Sequence, residues 1–327
     1  MSNILKYGKY LLFVAACVAF IVFVPEIVPN PYYLTVMNTA VIYFIAILGL
    51  TIVLGMGGQV TFSIAGTLGI GAFVTGVATV NYNLHPLVGI LLSIVVTSVF
   101  SWLIGIALFR LKGTYFAFAS IALVQIIYSI LQNWKFMGGA DGISRIPDMD
   151  LGFFVCETRQ EYFVAFSIIA IICGLIVAQI RNTSLGRALA SIRDDEIAAR
   201  CLGINIYRTK IISFILAGAF TGLAGALLAF QSTNITAELF TFRQSQIFLV
   251  MGMLGGIGST IGAFIGAVVL TLLPEMMRFL QNYYKLIYGI GIIVLMIFMP
   301  MGIAGLFKNF QKAVNRYKEK TSRGATK

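Results

Sequence analysis

The sequence predicts an all-α fold: a polytopic transmembrane helix bundle of about ten membrane segments, with both termini cytoplasmic. Three observations carry that prediction. The 327 residues are 59% hydrophobic and only 11% charged, with a mean hydropathy of +0.94. Soluble domains run near 45–50% apolar and about 25% charged. Apolar runs long enough to cross a bilayer recur along the whole chain, and the charged residues are gathered into short connections and a tail.

The elements follow in order. LLFVAACVAFIVFV behind Lys6 and Lys9 has the charge layout of a signal peptide, but it runs into PEIVPNP without a small-residue cleavage pattern. It is therefore read as a retained first span, 10–28. Further segments are expected at 33–54, 59–80, 86–109, 113–132, 162–180, 210–231, 242–257, 259–280 and 285–306. His85, before Pro86, reads as a turn residue, and QNWKFMGGADGISRIPDMDLGFFVCETRQ as the largest outer loop. Seventeen of the 23 basic residues fall on the side of the N-terminus, the 181–210 stretch and the tail. The other six, Lys135, Arg145, Arg159, Arg243, Arg278 and Lys285, fall in outer loops and helix ends. That bias places the N-terminus in the cytoplasm.

Several functions are disfavoured. The net charge of +11 sits in loops and tail rather than on a binding face, so no nucleic acid is expected. Cys17, Cys156, Cys173 and Cys201 lie in different segments without CxxC spacing, which argues against a disulfide framework or metal site. With one His and no acid pair at membrane depth, no catalytic residues, metal or cofactor are expected. An ion-coupled transporter would place acids within spans; Glu275, near the end of its span, comes nearest.

One stretch does not belong in a bilayer. RNTSLGRALASIRDDEIAARCLGINIYRTK (181–210) holds six basic and three acidic residues between two apolar runs. Burying them would cost on the order of 20 kcal/mol. Its pattern predicts one amphipathic helix, capped by Ser184 and stopped by Gly203, with Asn205 capping the next. Leu185, Leu189, Ile192, Glu196 and Ala199 form its stripe, and Arg187, Arg193, Asp194, Asp195 and Arg200 its other faces.

The same stretch resembles the cytoplasmic coupling loop of ABC importer permeases, with Glu196-Ile197-Ala198-Ala199 ahead of Gly203. More narrowly it is similar to branched-chain amino acid permeases of the LivM type. Gly186-Arg187-Ala188, Ile192-Arg193-Asp194-Asp195-Glu196, Ala198-Ala199, Leu202-Gly203-Ile204 and Lys210 carry that resemblance. Five further blocks follow the family's order: GMGGQVTFSIAGTLGIGAFVTG, RLKGTYFAFASIALVQII, GGADGISRIP, MGMLGGIGSTIGAFIGA and MPMGIAGL. The Pro that ends the loop in other importers is absent; Ile211-Ile212-Ser213 stand there.

The resemblance implies a permease domain over 1–309 with a coupling loop at 181–209, and a basic cytoplasmic tail over 310–327. It implies a multi-pass protein of the bacterial inner membrane, importing a branched-chain or other hydrophobic amino acid. Urea, short amides and other amino acids remain open as substrates. The implied partners are ABC ATPase subunits, a second homologous permease subunit, an extracytoplasmic substrate-binding protein and membrane lipid. The chain has no GxxxxGK[ST] loop of its own. Arg187, Arg193, Asp194, Asp195, Glu196, Ala199, Arg200 and Gly203 are the expected coupling residues. Gln59, Ser63, Thr67, Thr114 and Gln125, polar within spans, are candidates for the pathway or for hydrogen bonds between helices. Gly-rich segments in both halves, each with Gly-Ala-Phe (71–73 and 262–264), point to a path built from related repeats.

Overall fold

The computed structural model describes residues 30–111, 113–150, 152, 155–277, 289 and 290. The expected span at 10–28, that at 285–306 apart from 289 and 290, and the basic tail lie outside the described residues, as do 112, 151, 153 and 154. Ten helices are described: α1 (Pro31–Leu50), α2 (Ile64–Gly76), α3 (Pro86–Leu108), α4 (Thr114–Asn133), α5 (Arg159–Ile180), α6 (Ser184–Asp194), α7 (Glu196–Cys201), α8 (Ile206–Ser232), α9 (Phe242–Gly255) and α10 (Thr260–Met276). Both α1 and α2 continue as π-helix, over Thr51–Met56 and Val77–Asn81. Six of these units are long and apolar enough to cross a membrane: those beginning at Pro31, Ile64, Pro86, Thr114, Arg159 and Ile206.

Local chemistry sets the helix starts. Asn30 accepts from the Tyr32 amide at 3.0 Å and Pro31 opens α1. His85, expected only as a turn residue, caps α3 through Nδ1 at 3.3 Å from the Leu87 amide. Thr158 and Glu161 form a capping box at the head of α5.

In lipid there is little hydrophobic drive between helices, so close backbone contact and internal hydrogen bonds must hold the bundle. α8, the longest helix, is its axis and packs against α1, α2 and α3. Ser93, Thr97 and Ser101 recur every fourth residue on α3 and face Gly218 and Gly222 of α8. A methyl group on Gly222 would sit 2.0 Å from the Thr97 hydroxyl, and one on Gly218 would sit 2.1 Å from that of Ser101. Ser93 donates to the Gly222 carbonyl at 2.6 Å.

Two breaks and one descent interrupt the regular spans. Residues 57–63 separate α1 from α2, and 256–259 separate α9 from α10. The breaks touch: a Cβ on Gly55 would lie 2.6 Å from the Gly258 backbone. The descent is 233–241, between α8 and α9. Ile235 bridges to Ile143 of the far loop and packs at the level of Gly76, while Phe240 packs against Gly69 and Phe73. Thr97 is the central residue of α3; it meets Gly222, whose carbonyl meets Gly71. Phe240 therefore lies at the middle of the bundle's thickness. The first turn of α9 lies just below it, with the Phe242 ring 5.4 Å from that of Phe62. Irregular backbone at such depth is tolerated where protein or a wet cavity surrounds it.

Candidate functional site

Two places carry chemistry: the charged stretch at one end of the bundle, and a polar flank at mid-depth.

The charged stretch forms two helices rather than the single one its pattern predicts. Thr183, not Ser184, caps α6, accepting from the Gly186 amide at 3.3 Å. At Asp195 the backbone leaves the helical region (φ −158°, ψ 115°). Its carboxylate accepts from the Ile197 and Ala198 amides at 2.7 and 3.1 Å and starts α7. A short acidic side chain can satisfy backbone N–H groups itself, so Asp195 caps instead of continuing the turn. Gly203, at φ +79°, ends α7, where Ile204 N–H reaches the Ala199 carbonyl at 3.1 Å. Asn205 caps α8 as expected, accepting from the Arg208 amide at 3.0 Å.

The inner side of this pair is the predicted stripe: Leu189, Ile192 and Ala199 are buried, and Leu185 and Glu196 half-buried. Leu189 lies over Gly57 and the Arg193 stem over Gly58. The Arg193 guanidinium donates to the Gly55 carbonyl at 2.8 Å and pairs with Asp194 at 3.4 Å. Arg181 donates to the Gly258 carbonyl at 3.2 Å. Two arginines of the stretch thus hold the two backbone breaks. Glu196 is paired with Lys210 at the foot of α8.

Six of the eight expected coupling residues, Arg193, Asp194, Asp195, Glu196, Ala199 and Gly203, are therefore engaged in the chain's own structure. The other two, Arg187 and Arg200, are exposed, although Arg187 also donates to the Asn182 carbonyl at 2.8 Å. The sequence reading missed Ile197 and Leu202, each 77% exposed. The available signal was apolar side chains lying off the buried stripe.

The candidate pathway residues do not come together. Ser63 and Thr67 are buried near the start of α2, with Ser63 and Thr61 hydroxyls 2.9 Å apart and Thr67 donating to the Ile64 carbonyl at 3.1 Å. They line a cavity of about 10 Å³ with Ser101, whose hydroxyl has no protein partner. That is room for about one water. Gln59 is half-buried and donates to the Gly57 carbonyl at 3.2 Å. Thr114 and Gln125 are exposed on α4.

Gln125 belongs to a larger feature. Gln125 and Ser129 face outward from α4, and Arg243 and Gln246 face outward from α9. The two helices meet through Phe62, whose ring is tilted against that of Phe242 and whose amide donates to Ser120 of α4 at 3.0 Å. Arg243 was expected at an outer helix end. It lies in the first turn of α9, below Phe240 and hence near mid-depth, because the descent carries it there. Behind this turn is a cavity of about 210 Å³ lined by Thr39, Tyr43, Ser232, Leu239, Gln244 and Phe248. Among the described residues no group of His, Cys, Asp and Glu could hold a metal ion.

Comparison with known proteins places this geometry. Residues 32–298 match the family described as branched-chain amino acid transport system, permease component. The chain is 30% identical over 292 residues to the high-affinity branched-chain amino acid transport system permease protein LivM of Salmonella typhimurium, covering 82% of this chain and 69% of that one. It is 29% identical to the Escherichia coli K12 protein of the same name, with the same coverage. Against the LivH permease of Escherichia coli K12 it is 23% identical, over 80% of this chain and 91% of that one. No solved structure matches. The chain belongs to the family of permease components of branched-chain amino acid transport systems.

Proposed function

We propose that this chain is a permease subunit of an ATP-driven importer that carries branched-chain or similar hydrophobic amino acids across the bacterial inner membrane. Its relatives are named as permease proteins of high-affinity branched-chain amino acid transport systems. The observation that carries the mechanism is the exposed edge of the 184–203 stretch. Ile197 and Leu202 project into solvent beside Asp194 and Arg200, while the opposite side is fixed to the bundle by Arg193 and Glu196. Such an edge suits a groove on a separate ATPase subunit, with two apolar anchors in a charged rim.

Movement of that edge would pass directly to the interior. Arg193 and Arg181 hold the carbonyls of Gly55 and Gly258, so the stretch cannot shift without drawing on both breaks. The flank carrying Gln125, Ser129, Arg243 and Gln246 then forms half of a path that a second, homologous permease subunit completes. A substrate-binding protein would dock at the opposite end, where the 134–158 loop is tied to residues 233–235.

Leu202→Asp tests the docking. Co-purification of the ATPase subunits with the permease should fall about tenfold or more, the loss of one buried anchor, while the permease stays in the membrane fraction. Undiminished co-purification would remove the edge from the docking role. Substrate class is read by ATP-driven uptake of labelled isoleucine against urea in vesicles holding the whole assembly.

A further inference from the structure

We propose that Arg243 recognises the carboxylate of the transported solute at mid-membrane, which makes it a specificity-determining residue of the path. The proposal rests on the reading of the α4 and α9 flank as the path wall.

Three penalties converge on Arg243. It lies near the middle of the bundle's thickness, where an unpaired charge facing lipid is costly. It occupies the first turn of α9, where the helix dipole disfavours a cation. No carboxylate among the described residues forms an ion pair with it, although it is exposed. Helix propensity, packing and internal charge balance therefore give no reason for an arginine here. An anion arriving from outside the chain relieves all three costs together.

The neighbourhood narrows the anion's chemistry. Thr241 places no side-chain cap on α9, so the amides of the first turn stand uncapped by a side chain at the helix end that carries Arg243. Gln246, three residues on and exposed, adds neutral donors and acceptors on the same face. A planar guanidinium with such neighbours matches a carboxylate through paired hydrogen bonds. Glu238, exposed in the turn Ala237–Phe240 just above, offers an acid for an ammonium group. A zwitterionic α-amino acid presents both groups; urea and simple amides present neither.

The test uses the assembled transporter, with the four native cysteines replaced by serine and Arg243→Cys introduced. Uptake of labelled isoleucine should fall about 10- to 100-fold, the worth of one charge-assisted hydrogen bond. A methanethiosulfonate reagent bearing trimethylammonium should restore much of the uptake, and its sulfonate counterpart should not. Equal effects of the two reagents, or full uptake before modification, would overturn the carboxylate role and leave the path reading standing. If neither reagent modified the introduced thiol, both readings would fall, since position 243 would not face water. Arg243→Lys and Arg243→Gln in the otherwise native chain give a second measure. Lysine should retain more uptake than glutamine, and equal losses with intact assembly would argue for a purely structural residue.

Discussion

The bundle has two outward flanks of different character, one aliphatic and one mixed. On α5, Val164, Ile168, Ile172 and Ile176 form an exposed ridge of branched aliphatic side chains. On α3 the exposed residues include Leu91, Val95, Val99, Trp102 and Leu103, a set dominated by apolar side chains. On α4 and α9 the exposed set mixes Tyr115, Phe118, Ile126 and Ile130 with Gln125, Ser129, Arg243 and Gln246. Hydropathy marks α3, α4 and α5 alike as spans, yet only the α4 and α9 flank breaks its apolar surface with amides and a guanidinium at this depth. Overall hydrophobicity decides whether a segment enters the membrane. The few side chains that break its uniformity decide what the segment faces there.

The sharpest way to break this comparison is to move a charge between the flanks. Ile172→Arg places an unpaired guanidinium on the aliphatic ridge, at a cost of about 3 kcal/mol on insertion scales. Its level in the membrane fraction should fall severalfold to a hundredfold. Ser129→Arg, on the polar flank, should leave that level within about twofold, because the side chain there meets water or protein. Equal losses would show that both flanks face lipid.

Water access separates the flanks next. In a chain lacking Cys201, which is exposed, Gln125→Cys and Gln246→Cys should react with a membrane-impermeant thiol reagent in the assembled transporter. Ile168→Cys and Ile172→Cys should react at least about tenfold more slowly, since thiolate forms poorly in hydrocarbon. Cys156 will not interfere: it is buried, and its thiol is pushed up to about 11, first by burial and then by Glu161 and Asp148. Comparable rates on both flanks would erase the distinction.

Much of this was legible in the sequence, for reasons that differ by region. Each predicted segment between 33 and 280 contains a described helix, because hydrophobicity over about 20 residues is a property of the segment itself. Asn205 and Gly203 were legible because caps depend on one residue and its near neighbours. The break at Asp195 was not, since an aspartate at that spacing suits either a helix face or a cap. Arg243 was misplaced for a longer-range reason. A cation at the head of an apolar run reads as a surface residue. Only the slot that Phe240 fills between Gly69 and Leu131, residues far away in sequence, draws the chain down to mid-depth. Ser63 and Thr67 were singled out as polar residues in a span, but composition cannot distinguish a hydroxyl that lines a path from one that satisfies its own helix.

The smallest expected effect tests the lipid-facing side directly. Trp102 is exposed on α3, between Val99 and Leu103, both also exposed. The remaining tryptophan, Trp134, is exposed just beyond the end of α4. In a Trp134→Phe chain reconstituted in phospholipid brominated along its acyl chains, Trp102 fluorescence should be strongly quenched, because the indole lies exposed among apolar side chains of α3. A chain with Trp102→Phe, Trp134→Phe and Gln125→Trp places the only indole on the polar flank. In the assembled transporter its emission should fall by less than about half as much, since a second subunit and water would replace lipid around it. If the two indoles were quenched alike in the assembly, α4 would be a lipid-facing helix. The path would then have to be sought on another face of the bundle.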